Sequence, residues 1–144
     1  MKSKPFVGVW LDHREAHLFW ADEQANVEAQ YVQSEFQETG EPSERSHGNG
    51  PNGSQSGGVA HASLEHRRRE QLNHYYKDLA KSLREADDIY VFGPGLAKKE
   101  LAQVLAERVK LADRLRGVES ADRMTKPQMA ARVREFFGLP REGQ

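Results

Sequence analysis

The sequence contains no cysteine, which excludes disulfides and thiolate metal sites. No apolar run approaches the roughly 20 residues that a membrane-spanning helix takes. The apolar stretch near the N-terminus stops at Asp12, too short for a signal peptide. There is no excess of either charge: 21 Lys and Arg stand against 22 Asp and Glu, a net charge of −1. A strongly basic nucleic-acid binder is therefore excluded. The balance is uneven along the chain, with 4 basic and 9 acidic residues in 1–62 and 17 and 13 in 63–144. The second half could still meet nucleic acid locally. At 144 residues, 37% hydrophobic and 30% charged, the chain reads as one cytoplasmic domain with a real core and no membrane partner.

Three short strands open the sequence. Phe6-Val7-Gly8-Val9-Trp10-Leu11 is apolar on both faces, as in a central strand covered on both sides. Asp12-His13-Arg14-Glu15 reads as a tight turn, because Asp bonds its own backbone readily. Ala16-His17-Leu18-Phe19-Trp20-Ala21 follows. Then Val27, Ala29 and Tyr31 alternate with Glu28 and Gln30, predicting a half-exposed third strand. Residues 37–58 hold no hydrophobic side chain and are dense in Gly, Ser, Asn, Glu and Pro. Such a stretch buries too little to offset its ordering entropy, so 37–62 is expected as a flexible Gly/Ser-rich loop inside the single domain 1–144.

Ser63 is a plausible N-cap for a long helix that carries Leu72, Tyr76, Leu79, Leu83 and Ala86 on one stripe. Ile89-Tyr90-Val91-Phe92 is a buried strand ended by Gly93-Pro94-Gly95. A second helix is expected to carry Leu101, Val104, Leu105, Arg108 and Ala112. A weak edge strand follows at Gly117-Val118-Glu119-Ser120. Thr125 and Gln128 form a capping box for a third helix, which buries Met129, Ala130, Val133, Phe136 and Phe137 and ends at Gly138. The order βββαβαβα predicts an α/β, three-layer, ribonuclease H-like domain with a mixed five-stranded sheet.

That wiring invites a metal-dependent nuclease, with Asp12 and Glu65 or Glu70 as carboxylates. The strand after the long helix, however, ends in Gly93-Pro94-Gly95 where a third carboxylate would be wanted. The six histidines give no ligand pattern, and no metal or cofactor is expected. His13 beside Asp12 could serve as a general base, although a lone exposed turn histidine usually does not. The turn from Gly93 through Gly95 to Lys98 could let backbone N–H groups meet an anion, or serve only as a tight strand-to-helix turn. Arg67, Arg68 and Arg69 span about 200° of a helix, so at least one is exposed and could touch a phosphate backbone.

The segment Val9-Trp10-Leu11-Asp12-His13-Arg14-Glu15-Ala16 resembles the opening of the middle domain of eukaryotic and archaeal class-1 peptide chain release factors. Tyr75-Tyr76-Lys77 matches that family's aromatic pair and lysine. Phe92-Gly93-Pro94-Gly95-Leu96-Ala97-Lys98 matches its Gly-Gly-Pro-Gly turn. Asp122-Arg123-Met124-Thr125-Lys126-Pro127-Gln128 is similar to the closing segment of small bacterial proteins called translational machinery proteins. The resemblance implies a ribosome partner, through rRNA or tRNA. It also implies that the polar loop holds the counterpart of the family's Gly-Gly-Gln, whose glutamine helps water attack the peptidyl-tRNA ester. The family's spacing puts that motif at Gly57-Gly58-Val59, with valine in place of glutamine. Gln55 lies close by but out of register. The codon-reading and partner-binding domains of the full factors have no counterpart in the sequence. The implied function is ribosome-associated binding without a catalytic residue, with stalled or idle ribosomes as the expected setting. The alternatives are a scaffold for a protein or anionic small molecule, and the nuclease.

Overall fold

A computed structural model describes residues 4–35 and 57–140, with side chains from residue 63 onward in the second stretch. The strands are β1 (Phe6–Leu11), β2 (Glu15–Ala21), β3 (Val27–Gln33), β4 (Asp88–Gly93) and β5 (Leu115–Ser120). The helices are α1 (Gly57–Ser82), α2 (Ala97–Ala106) and α3 (Lys126–Phe137). One sheet runs in the order β3-β2-β1-β4-β5. The first three strands form an antiparallel meander, while β4 and β5 lie parallel to β1. This is the expected α/β, ribonuclease H-like architecture.

The apolar run of β1 is explained by its place between two layers. Val7, Val9 and Leu11 pack with Leu79 of α1 and Leu101 and Leu105 of α2. Trp10 packs on the opposite face with Met129 and Val133 of α3. Gly8 lets α3 come close, since a side chain there would overlap Val133 Cγ2. The Thr125–Gln128 capping box is present, and Gly138 closes α3 in the left-handed conformation (φ 69°). No helix among the described residues is long and apolar enough to cross a membrane.

Three local expectations are corrected. Helix α1 begins at Gly57 and not at Ser63, so part of the expected flexible segment is helical. Nothing from Val59 to Ser63 breaks a helix, and Ala60 and Ala62 favour one. Helix α2 stops at Ala106, leaving Arg108 and Ala112 outside it. Leu105 and Leu111 are both buried in the same core, whereas six positions along one helix would turn them about 120° apart. The chain instead folds back at Arg108, whose carbonyl accepts from the Leu111 and Ala112 N–H groups at 3.0 and 2.9 Å. On β3, Ala29 and Tyr31 are exposed and not inward, because α3 covers β1 and β2.

Candidate functional site

Parallel strands in an α/β sheet gather their following loops at the carboxyl ends, where such folds bind ligands. In this chain the turns after β1, β4 and β5 meet there. Asp12 shapes the first: its Oδ1 accepts from the Arg14 and Glu15 N–H groups at 2.8 and 2.9 Å. Two tyrosines from the C-terminal half of α1 reach this end of the sheet. The Tyr75 hydroxyl donates to the Asp12 carbonyl at 3.0 Å, and that of Tyr76 donates to Glu100 Oε1 at 2.6 Å. His13 Nε2 lies 3.0 Å from the same Glu100 oxygen. From β3's exit, Ser34 Oγ donates to the His13 carbonyl at 2.6 Å. The turn is thus held by α1, α2 and the β3 exit at once.

A second cluster adjoins it. Arg123, from the β5–α3 connection, puts Nη2 2.7 Å from Glu15 Oε2 and 3.2 Å from Asp12 Oδ2. Its guanidinium lies 4.8 Å from the centre of the Trp10 ring. Tyr31 donates to Glu15 Oε1 at 2.9 Å, and His17 Nε2 stands 3.5 Å from Glu15 Oε2. The Arg123 hydrogen bond holds the Glu15 carboxyl below the usual carboxylate range. Glu15 in turn raises the Arg123 guanidinium and, by accepting its hydrogen bond, the Tyr31 phenol. Burial pushes the Tyr75 and Tyr76 phenols up, with the Glu100 hydrogen bond adding to Tyr76. These groups are fixed in one protonation state near neutrality: Glu15 is an anion, and the phenols are donors. The arrangement is that of a pinned turn.

The nuclease carboxylates do not converge. Asp12 is committed to its turn and Arg123, while Glu65 and Glu70 stand exposed on α1. Among the described residues no group of three His, Asp or Glu side chains could hold a metal ion.

The anion-binding candidates separate into different places. Gly93 ends β4 with φ 150°, and a side chain there would overlap the Leu11 carbonyl oxygen. Its glycine is required by close packing against β1. Gly95 has φ 66° with open space around it. Lys98 is not offered to solvent: it is 5% exposed, and its ammonium donates to the Gly95 carbonyl at 2.6 Å. It closes the glycine turn from inside, which corrects its reading as an accessible phosphate contact. Arg67 is exposed and lines a groove of about 820 Å³ with Glu35, His66, Glu70 and His74. Arg69 lines another of about 530 Å³ between α1 and α2, floored by Leu72, Leu96 and Val104. Arg68 between them is half-buried. The three arginines therefore diverge around α1, as their 100° steps require. Gly57 and Gly58 open α1, followed by Val59; Gln55 lies outside the described residues.

Sequence reasoning missed Glu100, Arg123 and Tyr31 as members of this site. Each enters through a partner more than ten residues away in sequence, which no local spacing encodes. The resemblance marked the Tyr75-Tyr76 pair and the Arg123 segment without giving their roles.

Neither a protein-family model nor a curated protein matches the sequence. Solved structures do. The chain is similar to an archaeal translation termination factor, aRF1, at TM-score 0.57 and 13% identity over 89% of this chain. It is similar to the Archaeoglobus fulgidus Pelota protein at TM-score 0.54 and 13% identity over 95% of this chain. The Thermoplasma acidophilum Pelota protein matches at TM-score 0.51 and 18% identity over 84%. The chain covers 32%, 34% and 29% of those proteins in turn, about a third of each. The shared fold is of the release-factor middle-domain type.

Proposed function

We propose that this chain is a ribosome-associated, translation-related binding protein of the release-factor middle-domain type. The observation that carries the reading is the likeness of nearly the whole chain to one part of an archaeal translation termination factor. The in-order match of the Asp12 turn, the tyrosine pair and the glycine turn supports it independently. In the structure those three segments are in contact or adjacent at one end of the sheet. The pinned turn gives α1 a fixed base from which its N-terminal half, with Arg67 and Arg69, is presented. Those arginines are the candidate contacts to rRNA or tRNA phosphates, with Gly57, Gly58 and Val59 at the leading end of the helix. No catalytic residue is assigned, because valine stands at the position of the family's glutamine.

Co-sedimentation with ribosomes over a series of salt concentrations tests this reading. Binding that weakens steadily with salt is expected, since phosphate contacts release counterions. Absence from the ribosomal pellet at low salt would overturn it and favour a scaffold that binds protein or a small anion.

A further inference from the structure

Among the described residues, β3 is one edge of the sheet and β5 the other. An edge strand exposes backbone donors and acceptors that any matching strand can pair with, so natural edges are blunted by bulges, lysine or proline. Strand β5 has such a device, a register shift against β4 between Ile89 and Tyr90. Strand β3 has none. Its seven residues pair with β2 in unbroken register, hold no Pro or Lys, and carry Glu28 as their only charge. Tyr31 stands 51% exposed upon it.

The register fixes which backbone groups are spare. The Ser34 N–H donates to the Arg14 carbonyl and the Asp22 N–H to the Asn26 carbonyl. Hydrogen-bonded pairs alternate along an antiparallel ladder, so Ala16/Val32, Leu18/Gln30 and Trp20/Glu28 exchange the bonds between β2 and β3. The N–H and C=O groups of Val27, Ala29, Tyr31 and Gln33 then point outward. A second copy laid antiparallel, with Gln30 facing Gln30 on a two-fold axis, sets Ala29 against Tyr31 and Val27 against Gln33. Every spare group then meets a partner. Small Ala29 faces the large Tyr31 ring, and Glu28 faces Val32, never its own copy, so no like charges oppose each other. Gln30 already accepts from Trp20 Nε1 through its Oε1 at 3.1 Å, leaving its NH₂ free to donate across the axis.

We propose that β3 is a homodimer interface, at which two copies pair antiparallel about Gln30 and join their sheets into one. This is a closed, isologous contact, and it is independent of the ribosome reading. The absence of cysteine makes the test clean, because an introduced cysteine is the only thiol. Facing residues of a non-hydrogen-bonded antiparallel pair have Cα atoms about 4.5 Å apart, inside the range a disulfide spans. Light scattering should give wild type twice the 16.3 kDa chain mass. Gln30→Cys should form a covalent dimer on mild oxidation. Glu28→Cys should not, since its two copies lie about 14 Å apart along the pair. Ala29→Pro removes an outward N–H that β2 does not use, so it should give the single-chain mass with an unchanged circular dichroism spectrum. If proline disturbs the strand, Ala29→Lys should separate the copies with the backbone intact. A single-chain mass for wild type, equal cross-linking at positions 28 and 30, or a dimer that survives both Ala29 variants would overturn the proposal. So would a single chain with another protein's extended segment on β3.

Discussion

The hydroxyl of Tyr76 meets the carboxylate of Glu100 at 2.6 Å, tying the C-terminal half of α1 to the first turn of α2. The same carboxylate oxygen faces His13, so one buried phenol helps hold two helices and the β1–β2 turn together. Tyr76 is 3% exposed while the Glu100 side chain is 41% exposed, so water takes over part of the bond when the phenol is removed. Tyr76→Phe should therefore cost about 1.5 kcal/mol, the lower end for a bond to a charged group. Urea denaturation of the two proteins measures it. An unchanged midpoint would mean that the bond contributes nothing net.

Stability should also fall in acid, and Glu15 should account for part of the fall. Its carboxyl is held below the ordinary value of 4.5, first by the Arg123 hydrogen bond. A group depressed in the folded state contributes stability that is fully present above its unfolded pKa and is lost as pH falls through its folded pKa. The loss attributable to Glu15 thus begins below about pH 4.5. Glu119, lowered by its hydrogen bonds from Tyr90 and Arg132, acts in the same direction. Glu15→Gln should be less stable than wild type at pH 7, and its stability should decline less between pH 5 and pH 3. Parallel acid profiles for the two proteins would remove Glu15 from the account.

The fold was legible from periodicity because β1, β2, β4 and the helices send apolar side chains into the core at regular spacing. Trp10 and Val9 on alternate faces of β1, and the Thr125–Gln128 box, are local patterns with one structural solution. The end of α2 was not legible: Leu105, Arg108 and Ala112 keep helical spacing past Ala106, where the helix stops, while the burial of Leu111 beside Leu105 requires a fold-back. Only the shared core behind them decides between the two. The site was legible in part, where its residues belong to turns such as those at Asp12 and Gly93. Glu100 and Arg123 look like ordinary surface charges in the sequence. Their roles arise from tertiary contacts with His13, Tyr76, Asp12 and Glu15, over separations that no motif spans. Lys98 shows the reverse error, since a lysine after a glycine turn reads as an anion contact and instead satisfies the turn's own carbonyl.

That placement separates two classes of basic substitution. Lys98→Ala should lower the melting temperature, because it removes a buried side chain and its bond to the Gly95 carbonyl, while leaving the salt dependence of ribosome binding unchanged. Arg67→Ala and Arg69→Ala should do the opposite: the melting temperature holds, and binding weakens with a shallower salt slope, by about one unit for each phosphate no longer neutralised. Co-sedimentation and thermal melts on the same three variants read both effects. A shallower slope for Lys98→Ala alone would show that the lysine leaves its turn to meet RNA.

The chemistry at the leading end of α1 gives the sharpest expectation: wild type should not release peptide from peptidyl-tRNA. Ester hydrolysis needs a water held in line with the carbonyl, and that orientation supplies much of the rate gain. A glutamine amide has both donor and acceptor for the task, whereas Val59 has neither. Two glycines precede it and permit close approach to other backbones, so the proposed ribosome binding should not depend on the missing amide. Peptide release from programmed ribosomes should be at background for wild type and for Gln55→Ala, with a gain only for Val59→Gln. Release by wild type that Gln55→Ala abolishes would instead put the active glutamine at position 55 and shift the motif by four residues. A side-chain amide at position 59, which Val59 lacks, is therefore the group whose introduction should separate a peptide-releasing protein from one that only binds.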